Sequence, residues 1–225
     1  MNRRTRGWAV AAAAAVTAAL VAVGLTAGSP AAGEPVPDVT ASAAVDLARS
    51  DPGDPMALGD PEAPVLMIEW ADLRCYYCGV FSEETLPALI SEYVDQGLVR
   101  IEWHPAVVLG DTSTDAAIAA RAAAEQGLFW EFVDALYATM PTRETVWSSE
   151  ALIELGGSID GLDLNLFADG LVDPELRAAV QADVERAEQA GVTGTPTFLI
   201  GDELVVGAQP LAEFQRVIQE QLDRS

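Results

Sequence analysis

The sequence predicts an α/β domain in which a block of helices interrupts the strands, preceded by an N-terminal hydrophobic helix. Three observations predict it. Two apolar runs, residues 65–70 and 99–103, have the length and the polar boundaries of buried strands, and a helical period separates them. A long stretch, about 112–190, then carries helical periods and no strand-like run. Last come two short apolar runs around Gly201-Asp202 and an amphipathic stretch over 211–222. A helix joining two strands implies a parallel crossover, whereas the terminal hairpin adds an antiparallel pair.

The elements follow in order. Arg3, Arg4 and Arg6 make a positive N-terminus, and residues 8–28 are uncharged and mostly Ala, Val and Leu. About 21 such residues can span a bilayer as a helix and exceed the ~7–15 of an export-signal core. Residues 1–31 therefore fit either an uncleaved membrane anchor or a signal peptide cut after Ala31. In both cases the positive end stays in the cytoplasm and the remainder crosses. Residues 32–58, rich in Pro, Gly, Ala and Asp, lack periodicity and predict a flexible linker with a short helix or strand near its end. The folded domain is expected over 59–225. A strand at 65–70 lies between Pro64 and Asp72. A helix over 75–95 places Phe81, Leu86, Leu89, Ile90 and Tyr93 on one face, with Pro87 as a kink point. The second strand stops at His104-Pro105. Helices follow at 114–126, 128–138, 149–155 and 174–190, the last opening on Pro174. Strands at 197–200 and 204–206 and a helix at 211–222 close the chain.

Charge removes several functions. All 35 acids lie at Glu34 or beyond, against 12 basic residues, for a formal net charge of −23. A nucleic-acid binder needs a basic footprint, so no nucleic-acid partner is expected. Every basic residue is arginine, which excludes a Schiff-base or phosphate-loop lysine. With His104 alone, a three-histidine metal site is impossible.

The chemistry concentrates at Cys75-Tyr76-Tyr77-Cys78, where a strand hands over to a helix. Disulfide exchange needs a reactive thiolate and a second thiol near enough to resolve the mixed disulfide. A cysteine at a helix start meets unpaired backbone N–H groups and the positive end of the dipole, which favour the thiolate. Cys78, one turn on, is expected to be less exposed, and Arg74 could add positive charge. Other readings compete with a redox pair. A zinc half-site would need two more ligands than the chain offers. A static disulfide would close a loop of only a few residues and gain little. An inert pair in a binding module is the third.

The segment 69–78, Glu-Trp-Ala-Asp-Leu-Arg-Cys-Tyr-Tyr-Cys, resembles the active-site segment of DsbA-like thiol–disulfide oxidoreductases, and 194–201, Gly-Thr-Pro-Thr-Phe-Leu-Ile-Gly, resembles that family's cis-proline segment. Gly59-Asp60-Pro61 with Ala63-Pro64-Val65 looks like the family's lead-in, and Ala119-Ala120-Arg121-Ala122-Ala123 with Gln126-Gly127-Leu128-Phe129-Trp130 looks like part of its helical block. The resemblance covers about 59–223 and implies a thioredoxin-like fold with an inserted α-helical subdomain. It implies that Pro196 follows a cis bond and faces Cys75 and Cys78, although the residues alone make a trans loop proline the default. The backbone of Thr195 could then pair with an extended client segment. Glu69, in the family's position for a buried acid, could move a proton to or from Cys78; on the residues alone, an exposed strand-end acid is equally open.

The chain departs from the family between the cysteines, where Tyr76 and Tyr77 replace the more usual Pro-His or Pro-Phe. With no histidine there and an acidic surface, the pair is expected to be less oxidising than the strongest members. Tyr76 and Tyr77 suit either an apolar docking face for clients or simple helix-start packing. His104 is expected to be a satisfied structural histidine. The resemblance implies an extracytoplasmic oxidant of exported cysteine-containing proteins, recycled by a membrane oxidase, with no cofactor. The same fold also fits a reductase or isomerase, or a binding module with a structural disulfide.

Overall fold

The computed structural model describes residues 47–49, 51–139 and 147–225. The hydrophobic segment 1–31 and the start of the expected linker lie outside the described residues. Among the described residues, no helix is long and apolar enough to cross a membrane.

Five strands form one mixed sheet in the order β1-β3-β2-β4-β5: β1 (Ala57–Leu58), β2 (Val65–Ala71), β3 (Val99–Pro105), β4 (Thr197–Ile200) and β5 (Glu203–Val206). β2 and β3 are parallel, in a register that sets Glu69 beside Trp103 and Trp70 beside His104. β4 is antiparallel to β2, with Glu69 opposite Phe198, and Ile200 faces Glu203 across the Gly201-Asp202 turn. Gly201 sits at φ +59, a left-handed backbone position in the turn that favours glycine.

The crossover from β2 to β3 is helical from Tyr76 to Val94, but not uniformly α. It begins as α1 (Tyr76–Val80), widens to a π turn at Phe81–Thr85, resumes as α2 (Leu86–Leu89), and widens again at Ile90–Val94. Pro87 sits in the first turn of α2, where its missing N–H interrupts the ladder. The expected kink is thus spread over two π turns that flank it. The helical block comprises α3 (Asp111–Ala124), α4 (Phe129–Ala138), α5 (Ser149–Gly156), α6 (Leu164–Leu171) and α7 (Pro174–Gln189), and α8 (Leu211–Leu222) closes the chain.

Alternation along the strands separates two faces. Val65, Met67, Ile101, Phe198 and Ile200 pack with Phe81, Leu89, Phe214 and Ile218, so the crossover helix and α8 cover one face. Ile68, Trp70 and Leu199 face the other way and pack with Ala187 of α7. The helical block has its own core, with Phe129, Phe132, Leu136 and Phe167 around the alanines of α3. α6 comes close enough that a Cβ on Gly170 would lie 2.6 Å from the Ala122 Cβ. Cys75, Cys78 and Trp103 belong to this same cluster, which places the cysteines where sheet and helical block meet.

Three sequence expectations need correction. The segment 32–58 does end in a short strand, β1, as expected, but the residues just before it are packed and not a flexible linker. Asp54 and Met56 are buried, and β1 pairs with β3. Arg49 pairs with Asp54 at 2.8 Å, and Arg100 donates to the Asp51 carbonyl. Polar contacts hold this segment, so it shows no hydrophobic period. Helix α6 was not anticipated, although Asp163 caps it by accepting from the Asn165 and Leu166 N–H groups. β3 runs on through His104 to Pro105, because parallel pairing with β2 continues to Ala71.

Candidate active site

β2 ends at Ala71, and a tight turn delivers Cys75 to the start of α1. The Cys75 N–H donates to the Asp72 carbonyl at 2.8 Å, and the Cys75 carbonyl accepts from the Cys78 and Gly79 N–H groups. Cys75 occupies the N-cap position with extended backbone, and the Tyr77 and Cys78 N–H groups of the first turn lie toward its sulfur. It is 7% exposed, Cys78 is fully buried, and both are thiols.

The Thr195–Pro196 peptide bond is cis, and it brings Thr195 against the cysteines. The Cys75 thiol donates to the Thr195 carbonyl at 3.3 Å. The resemblance implied this juxtaposition; spacing alone, with the two 120 positions apart, did not. Thr195 Oγ1 is buried and has no hydrogen-bond partner among the described residues. It is a donor placed to meet a Cys75 thiolate.

The two sulfurs titrate in opposite directions. A hydrogen bond from the Cys78 thiol, against the opposing effect of burial, holds Cys75 down at about 6, with help from the Thr195 side chain and the Cys78 and Tyr77 N–H groups. Burial pushes Cys78 well up, and its donation to Cys75 adds to that. One thiol is therefore ionised at neutral pH while its partner keeps its proton. The thiolate-stabilising groups are the Cys78 thiol, the Thr195 side chain and backbone N–H groups. Arg74, expected as a neighbouring charge, sends its guanidinium to the Leu109 carbonyl at 2.6 Å.

Glu69 is buried beneath this pair, on the same sheet face as Trp103 and Phe198. Burial, and to a lesser extent the charge on Cys75, raise its carboxyl to about 8. Of the two positions left open by the sequence, the buried one is observed. Tyr76 and Tyr77 are 40% and 48% exposed, edge to face with ring centroids 5.5 Å apart. His104 lies on the opposite face from Glu69, where its Nε2 is 3.3 Å from a Glu102 carboxylate oxygen, so it is structural as expected. Trp70 also faces that side, against His104; Trp103, not Trp70, shares the cysteines' core.

Two residues at the site carried no expected role. The Tyr137 hydroxyl, buried beside Glu69 and both cysteines, donates to the Asp72 carbonyl at 3.4 Å. The buried Asp72 carboxylate accepts from the Arg74, Val108 and Leu109 N–H groups at 2.8, 2.9 and 3.0 Å. The bond two residues ahead is an Asx turn, and an aspartate closing a strand before a helix is the signal that could have found it. Among the described residues there is no cluster of His, Cys, Asp and Glu able to hold a metal ion.

The family profile described as Thioredoxin matches residues 51–220. The chain belongs to the thioredoxin family. Disulfide bond formation protein D of Bacillus subtilis is 25% identical over 173 residues, covering 76% of this chain and 78% of that protein. The crystal structure of oxidised BdbD from B. subtilis superimposes with a TM-score of 0.70 at 24% identity, over 76% of this chain and 94% of that one. Structures of proteins named DsbA match at similar scores. The resemblance to DsbA-like thiol–disulfide oxidoreductases is thereby shown. A further match is to the Na(+)/H(+) antiporter NhaA 3 of Salinispora tropica, 36% identical over 152 residues. The match takes in 67% of this chain and 22% of the antiporter, so the chain spans about a fifth of that relative's length.

Proposed function

We propose that this thioredoxin-family protein donates its Cys75–Cys78 disulfide to cysteine pairs of exported proteins, outside the cytoplasmic membrane. The observation that carries the reading is the split between the two sulfurs: an acidic thiol at a helix start, against Thr195, and a buried partner that holds its proton. A reduced state stabilised as the Cys75 thiolate makes the disulfide a stronger oxidant.

A client thiolate attacks the Cys75 sulfur. The client–Cys75 bond forms, the Cys75–Cys78 bond breaks, and the electron pair goes to Cys78. Glu69, protonated below about 8, supplies the proton Cys78 takes. A second client thiolate then attacks the client-side sulfur, and Cys75 leaves as a thiolate. The client is oxidised by two electrons, the Cys75–Cys78 pair is reduced by two, one of the two client protons restores the Glu69 carboxyl, and the other is released. Thr195 and Pro196 border the sulfur where the client segment lies, and Tyr76 and Tyr77 flank it. Recycling needs an electron acceptor, for which a membrane oxidase is the natural class. The arginine-led segment 1–31 supports export or anchoring.

The test is the reduction potential of the pair in glutathione mixtures, followed by tryptophan fluorescence. Disulfide donation expects a value of about −120 to −180 mV. A value near −270 mV would make the protein a reductase. A pair below about −300 mV that exchanges only slowly would leave a binding module with a structural disulfide.

A further inference from the structure

The Asp72 carboxylate does no chemistry in the steps above, yet it is buried and fully engaged at the turn that presents Cys75. One oxygen takes the Arg74 N–H, within the turn itself. The other takes the N–H groups of Val108 and Leu109, 36 and 37 residues away in the loop between β3 and α3. Arg74 closes the bracket from the other side, donating to the Leu109 carbonyl. Both faces of the Leu109 backbone are thus hydrogen-bonded to residues within three positions of Cys75. The side chains this arrangement holds out are apolar and open: Val108 is 40% exposed and Leu109 is 46% exposed. Keeping large aliphatic groups in water has a cost, and fixing them beside the turn that presents a reactive sulfur gives them a surface to cover.

We propose that Asp72 is a positioning residue, whose carboxylate fastens Val108 and Leu109 beside Cys75 so that they select client segments with apolar side chains next to the attacking cysteine. The inference rests on the disulfide-exchange reading and adds a specificity to it. The occupant is the client chain itself, because the mixed disulfide places the residues flanking its cysteine over the turn that Asp72 organises. Asp72 meets the thiols only through its backbone: its carbonyl takes the Cys75 N–H, and its backbone also reaches Cys78. Its side chain takes the Arg74 N–H within the turn and the Val108 and Leu109 N–H groups of the loop.

The experiment compares rates of reduction of the oxidised full-length protein by glutathione and by two synthetic dithiol peptides. One peptide carries Leu on both sides of the attacking cysteine, and the other carries Ser. The wild-type protein is expected to react about tenfold faster with the Leu peptide, the scale of covering one partly exposed aliphatic group. Asp72→Asn keeps the size but gives one side of the bracket an N–H donor facing N–H groups. Val108→Ser with Leu109→Ser removes the apolar surface without touching a buried group. Both variants are expected to bring the Leu-to-Ser rate ratio to about one, with the pH midpoint of Cys75 alkylation unmoved. The proposal is overturned if the wild-type ratio is already about one, or if either variant keeps the wild-type ratio. It is equally overturned if Asp72→Asn moves the alkylation midpoint or slows all three reductants alike. A wild-type protein that reacts with none of them sinks the exchange reading itself, and this specificity with it.

Discussion

Glu69 and Glu102 lie one register step apart on neighbouring strands, both almost wholly buried, and they titrate in opposite directions. Glu102 faces away from the cysteines. Burial works against its charge, but hydrogen bonds from His104, the Arg49 N–H and Arg100 outweigh it and hold its carboxyl below the usual range. Glu69 faces the helical block and the cysteines, where the influences on it are burial and the charge on Cys75, and both push it up to about 8. One carboxylate is structural because it is compensated. The other can carry a proton because it is not. Residue type and depth are the same, so the neighbours on each face decide the role.

The largest expected effect breaks the compensated side. Glu102→Gln leaves the Arg100 guanidinium, buried with its partner, facing a neutral group. Removing one member of a buried ion pair costs about 3 kcal/mol. Urea unfolding at pH 7 is expected to show that loss for Glu102→Gln and less than about 1 kcal/mol for Glu69→Gln, since an uncharged group is replaced by another uncharged group. Equal losses would mean that both carboxylates are ionised in the folded protein, and the contrast would fail.

The second effect is on rate. Glu69→Gln removes the proton source for Cys78, and formation of the mixed disulfide, the step in which Cys78 leaves, is expected to slow by about a hundredfold at pH 7. Stopped-flow kinetics with a reduced dithiol peptide measures it, and a slowing of less than about threefold would remove Glu69 from the proton path. Glu102 lies on the far face, so its variant is expected to match the wild-type rate once corrected for the fraction folded.

The contrast between these carboxylates was only half legible in the sequence. Cys75 and Cys78 announce themselves because two residues of spacing at a strand–helix junction already encode their chemistry. Pro196 needed the resemblance, because nothing local ties residue 196 to residue 75. For Glu69 the strand was clear, but its burial depends on how the helical block caps the strand end, a packing fact with no period to reveal it. Glu102 drew no attention: its partners Arg49 and Arg100 include one from a segment that reads as linker. Asp72 sat inside the quoted motif without a role, because two of its three acceptor bonds go to a loop more than 30 residues on. Elements built on apolar periodicity, such as α4 and α8, were readable; those held by side-chain caps or polar contacts, such as α6 and residues 51–58, were not.

The smallest expected effect is the sharpest test of the contrast. Cys75 becomes a thiolate as the pH rises through about 6, so its alkylation by iodoacetamide is expected to rise with a midpoint there, well below that of an ordinary thiol near 8.5. At that pH Glu69 still holds its proton, because its own transition waits until about 8. A neutral carboxyl exerts no charge repulsion on the neighbouring sulfur, so Glu69→Gln is expected to move the midpoint by less than about half a unit. Were Glu69 ionised like Glu102, removing a negative charge beside the sulfur would make Cys75 clearly more acidic, and the midpoint would fall by about a unit or more.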